Sequence, residues 1–132
     1  MLNDILKSFG GIALFFIILA ASRYLVMSSF FLKYNKYPFI KEYSKYINKY
    51  HKYFGMLALF FAIFHSFGMI KYLKNPKLFM WFGLAALVDL FIVGLMGMLV
   101  KKVSSNHKRI IIKIHMLLAG LLVILALLHV IL

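Results

Sequence analysis

Four of the five histidines fall into two matching pairs, His51 with His65 and His115 with His129, and each pair spans 14 positions of almost wholly apolar sequence. On an α-helix that spacing separates two imidazoles by about 21 Å along the axis and by only about 40° around it. Each such helix offers two nitrogen ligands on one face, one toward each side of a membrane. Two helices of this kind, facing each other and running the same way, would set His51 against His115 and His65 against His129. Each couple could grip an iron from both sides, and two such couples are what two stacked b-type haems require.

The residues between the histidines bear on the same chemistry. On a helical wheel the face shared by His51 and His65 carries Gly55, Ala58 and Ala62, and the face shared by His115 and His129 carries Ala119, Leu122 and Ala126. These side chains are mostly small and leave room for a flat group, while Phe60, Phe61, Phe64, Leu121 and Leu125 point elsewhere, toward lipid or a macrocycle edge. The same small residues would also serve as a seam on which two helices pack directly. That arrangement leaves four histidines in apolar helices without partners.

The elements that must position these residues are transmembrane helices. The 132 residues are 64% hydrophobic and 14% charged, which is not the composition of a soluble globular domain. Apolar runs over about 9–32, 51–70, 78–100 and 110–132 each approach the ~20 residues that cross a bilayer. The expected fold is an all-α integral membrane protein, a four-helix antiparallel bundle forming one domain over residues 1–132, with the second and fourth spans parallel to each other. Leu19-Ala-Ala-Ser22 has a faint likeness to a signal-peptide cleavage site, but the apolar run continues past Arg23, so the first span is read as uncleaved. The connection over 33–50 alternates lysine and tyrosine, and after Pro38 a short interfacial amphipathic helix from about Phe39 to Tyr50 is expected, leading into the second span. Asn75-Pro76 marks a tight turn before the third span. The absence of cysteine excludes a thiolate-ligated iron–sulfur cluster or zinc site within this chain.

A net charge of +13 would suggest nucleic acid in a soluble protein, but here the lysines crowd into short connections between apolar runs, so they report topology and contact with anionic lipid. The first connection holds Lys33, Lys36, Lys41, Lys45, Lys49 and Lys52, and the third holds Lys101, Lys102, Lys108, Arg109 and Lys113, against Lys71, Lys74 and Lys77 in the second. The positive-inside rule then puts the first and third connections in the cytoplasm and both termini outside a cytoplasmic (inner) membrane. His51 and His115 become the inner pair, His65 and His129 the outer. Two charges lie within the apolar runs, Arg23 and Asp89, each costing about 2.5–3.5 kcal/mol on insertion scales. They are expected to pair with each other, or else Arg23 holds a haem propionate and Asp89 takes up a proton or lines a quinone pocket. His107, in a basic loop, together with Lys52, Lys108 and Arg109, is a further candidate for propionates, or simply solvated. Met69, Met96, Met98 and Met116 are read as gap-filling side chains.

His51-Lys52 opening one span, His65-Ser66 after 13 intervening residues, and a second such pair two helices on together resemble the transmembrane cytochrome b core of the ferric reductase and NADPH oxidase superfamily. The likeness covers residues 50–132. It implies two haems b, ligated by His51, His65, His115 and His129, with the third span as the intervening helix, and electrons passing from a cytosolic flavin to an extracytoplasmic acceptor. The family usually has six spans, against four here. The expected function is a di-haem b-type membrane cytochrome served by a separate flavin- or iron–sulfur-containing reductase, with a quinone and further copies of the chain as additional candidate partners. Two other readings stand beside it: a quinol-linked cytochrome b subunit that anchors a dehydrogenase, and a haem-free scaffold or a metal or proton transporter whose histidines bind Zn²⁺ or Cu²⁺.

Overall fold

The computed structural model describes residues 2–26, 33, 37–75 and 77–132. Four long helices make up nearly all of it: α1 (Leu2–Val26), α2 (Pro38–Met69), α3 (Leu78–Leu99) and α4 (Ser105–Ile131), with a 3-10 turn, Ile70–Lys74, after α2. All four are long and apolar enough to cross a membrane. They form an antiparallel bundle in which α1 packs along α2, α3 along α4, and the two hairpins meet through α1 with α4 and α2 with α3. The two histidine-bearing helices, α2 and α4, therefore stand on one diagonal, and α1 and α3 on the other.

Positions 27–32 of the first expected span, 34–36 of the first connection and Pro76 lie outside the described residues. The amphipathic stretch expected over 39–50 is not a separate helix. It is the first third of α2, which runs unbroken for 32 residues. Pro38 sits in the first turn, where its missing N–H costs nothing, and Tyr37 before it is extended (φ −77°, ψ 127°), as a residue preceding proline must be. No glycine or proline then interrupts the chain until Gly55, so the polar turns propagate straight into the apolar ones. At 1.5 Å per residue α2 is about 48 Å long, against about 30 Å of hydrocarbon, which leaves about a dozen residues to stand clear of it.

Most of the large apolar side chains face outward, among them Phe15, Phe60, Trp81, Val88, Phe91, Leu117 and Val130. Such a surface is untenable in water and ordinary in lipid. Inside, one layer draws on every helix: Ile17 of α1, Ala58 of α2, Ala86 and Leu90 of α3, and Leu122 and Ala126 of α4. Ala58 and Leu122 are each seven residues from both histidines of their own helix, so this layer sits halfway between the two histidine pairs. Phenylalanines knit the first hairpin: Phe61 of α2 stacks on Phe16 of α1 (6.0 Å between ring centres, planes 6° apart) and meets Phe9 edge-on at 5.4 Å. Because Ala58 has no exposed surface at all, Ala58→Leu should overpack the middle layer at a cost of about 1–3 kcal/mol. A thermal melt of the purified protein in detergent would show this as a lower Tm; an unchanged Tm would mean that the middle layer is loose.

Candidate metal centre

The bundle brings the four histidines together in the two couples their spacing predicts. His51 faces His115 with ring centres 6.1 Å apart and planes at 84°, and His65 faces His129 at 6.0 Å and 70°. Two imidazoles bound end-on to opposite sides of one metal ion, with bonds of about 2 Å and about 1.1 Å from nitrogen to ring centre, stand about 6.2 Å apart. The observed separations match that distance.

Every ring is also tied from behind. The Nδ1–H of His51 donates to the carbonyl of Ala20 (3.1 Å) and that of His65 to Leu6 (3.1 Å), both on α1; His115 donates to Val93 (3.1 Å) and His129 to Phe79 (2.7 Å), both on α3. A carbonyl can only accept, so Nδ1 must carry the proton and each Nε2 keeps its lone pair for a ligand bond. Backbone carbonyls holding the far nitrogen of a histidine are the usual device for fixing the orientation of a metal-bound imidazole and raising its basicity.

The acceptors repeat the histidine spacing. Leu6 and Ala20 are 14 residues apart on α1, and Phe79 and Val93 are 14 apart on α3. The two hairpins are thus wired alike and run in the same direction, the first with nine more residues between acceptor and histidine: 31 from Ala20 to His51, 22 from Val93 to His115. One turn beyond three of the acceptors stands a glycine facing the ring, tightly at Gly10 and Gly83 and at ordinary contact distance at Gly97. A Cβ on Gly10 would lie 2.8 Å from His65 Cε1, one on Gly83 2.7 Å from His129 Cε1, and one on Gly97 3.4 Å from His115 Cε1. The fourth equivalent position is Tyr24, whose side chain is exposed, so His51 alone lacks this backing.

On the side facing the opposite couple the residues are small. Gly55, Ala62, Ala119 and Ala126 each lie one turn from a histidine, toward the bundle centre. Ala126 is buried, and Gly55, Ala62 and Ala119 are half-buried. A Cβ on Gly55 would meet nothing within 4 Å. Of the bulky residues expected to turn away, Phe60 and Phe64 are exposed, Phe61 packs on α1, Leu121 is exposed, and Leu125 leans on the middle layer. Each couple offers two facing imidazoles with small side chains one turn away, a donor set that would suit a metal bringing its other ligands with it. Among the described residues no three of His, Cys, Asp and Glu converge on one point.

The polar candidates are placed differently from one another. Arg23 does not pair with Asp89. Its Nε donates to Asn48 Oδ1 at 2.8 Å, while Asp89 is 6% exposed with Oδ2 lacking any hydrogen-bond partner. The reason is position: Ala20 and Val93 share the level of the His51/His115 couple, Arg23 lies three residues beyond it and Asp89 four residues short of it, on diagonal helices. That puts about 10 Å of axial distance between them. Arg23 stays within a turn of the His51/His115 couple. Lys52 is exposed beside His51, Arg109 is exposed near the start of α4, and His107 sits there with Nδ1 3.3 Å from Ser104 Oγ.

No family profile, curated protein or solved structure matches this chain. The class that the fold and the histidines define is a four-helix bundle of membrane-spanning length, built from two like hairpins, with two bis-histidine layers about 21 Å apart. The acceptor carbonyls and the backing glycines are the functional features that the residue types did not announce. The glycines did leave a signal, since Gly83 and Gly97 repeat the 14-residue interval of the histidines.

Proposed function

We propose that the protein is a di-haem b-type membrane cytochrome that passes electrons across a cytoplasmic membrane, from a flavin- or iron–sulfur-containing reductase on the inner side to an extracytoplasmic acceptor. The observation that carries this is the pair of imidazole couples, 6.1 and 6.0 Å between ring centres, every ring held through Nδ1 to a carbonyl. His51 and His115 hold the inner haem, His65 and His129 the outer; Gly55, Ala58, Ala62, Ala119 and Ala126 leave the space. A bound haem b supplies a one-electron iron centre. The chain's own work is to orient the four rings, to keep water from them with a sheath of apolar side chains, and to raise Nε2 basicity through the Nδ1 bonds, which favours the ferric state and lowers the potential. Arg23 lies within a turn of the inner couple and Lys52 adjoins His51, while His107 and Arg109 stand farther out toward the basic face. The crowding of lysines at that face supports a cytoplasmic position for it, with both termini outside.

The test is a pyridine haemochrome count on the purified chain, with haem supplied during expression. Two haems b per polypeptide are expected, with a reduced α-band in the membrane extract. A stably folded, colourless protein would overturn the reading.

A further inference from the structure

Between α3 and α4 an open groove of about 510 Å³ faces the lipid, lined by Trp81, Val88, Ile92, Leu121 and Leu125, with the carboxyl of Asp89 as its only charged group. Asp89 is 94% buried, since 6% of its surface is exposed, and its Oδ2 has no partner. A carboxyl at this depth is costly, and Asp89 is the one ionisable side chain on an otherwise apolar lining, so a ligand able to hydrogen-bond to that carboxyl is favoured there over a lipid tail. We propose that this groove binds a lipid-soluble quinone or its quinol, with Asp89 hydrogen-bonded to a ring oxygen.

The chemistry suits both forms of that ligand. A protonated carboxyl donates to a quinone carbonyl, and an ionised one accepts from a quinol hydroxyl, so one side chain serves either redox state. The lining is apolar apart from one carboxyl, and the groove's volume is of the order of an aromatic head with the start of a chain. Asp89 also lies between the levels of Val93 and Phe79, that is, between the two histidine layers and on a helix that touches both. The choice of a redox carrier over other hydroxyl-bearing lipids rests on the di-haem reading. A second groove of about 290 Å³ between α2 and α3 shares Val88 and Ile92 with the first but is closed by Leu59 and Ile63 and has no polar side chain in its lining, so label on Leu59 and Ile63 marks it as the control.

Photolabelling of the full chain in lipid nanodiscs with an azido-quinone, followed by peptide mapping, tests the site. Saturable label over 81–92 and 118–125, displaced by unlabelled quinone, is expected. Asp89→Leu should weaken labelling about tenfold, and Asp89→Asn, which keeps a hydrogen-bonding group, far less. Equal labelling of Asp89→Leu and wild type overturns the proposal, as does label spread equally over Leu59 and Ile63. So does efficient disulfide crosslinking of Val88→Cys between two copies with no label, which would mean that a second chain fills the groove. If Asp89→Leu fails to fold, Leu121→Trp decides, because filling the groove must block the label. A haem count on the same samples separates the two readings: label without haem removes the cytochrome and keeps the site, whereas two haems with no label in the groove removes the site alone.

Discussion

His65→Ala is expected to leave one haem per chain where the wild type has two, and His129→Ala to do the same to the same haem. His51→Ala and His115→Ala should each remove the other. The geometry makes the losses pairwise, because His65 faces His129 at 6.0 Å and His51 faces His115 at 6.1 Å, while within each helix the histidines are about four turns apart. With one histidine of a couple removed, the other imidazole alone would have to hold the group that both would otherwise clamp. Occupancy of that layer should therefore fall by an order of magnitude or more, in line with what loss of even an outer-sphere support costs a metal site. Redox titration of the α-band would show one component missing, the same one in both members of a couple. Equal loss of both haems from all four variants would mean that the histidines support the fold as a whole and not two separate centres.

Gly10→Ala and Gly83→Ala should strike the outer layer nearly as hard without removing a ligand. The added methyl would lie 2.8 Å from His65 Cε1 in the first case and 2.7 Å from His129 Cε1 in the second, closer than carbon atoms approach, so the ring or the helix has to move. Either movement disturbs the Nδ1 bond to Leu6 or Phe79. Haem affinity at that layer should drop about 10–100-fold, the range seen when a metal ligand's supporting bond is lost. Gly97→Ala is the control. Its methyl would stand 3.4 Å from His115 Cε1, an ordinary contact, and the inner layer should keep its haem. Haem retention under competition by an apo-haem acceptor measures all three, and a Gly97→Ala defect as large as that of Gly10→Ala would refute the steric account.

The histidine layers were legible because a 14-residue interval is nearly a whole number of helical turns, so ligand positions on one face could be counted without knowing any contact. Span count and the parallel course of α2 and α4 followed from apolar run lengths for the same reason. The continuity of α2 was less visible: lysine and tyrosine mark an interface by composition, yet nothing in them stops a helix once Pro38 has started one. Pairing Arg23 with Asp89 failed because proximity within a bundle depends on level and on which corner a helix occupies, and only contacts between helices fix those. The acceptors Leu6, Ala20, Phe79 and Val93 could not be picked out by type, since the group that matters is a backbone carbonyl that every residue has.

The like wiring of the two hairpins bears on biogenesis. Each hairpin gives one imidazole to each layer, so neither layer is closed by α1 and α2 alone, and the outer one waits for His129 near the end of α4. A nascent chain that has inserted only its first half holds His51 and His65 against the carbonyls of α1 but has no facing imidazole for either. On the di-haem proposal, loading would be confined to the period after the last helix enters the membrane, and truncation within α4 would leave a protein able to complete at most one of its two layers.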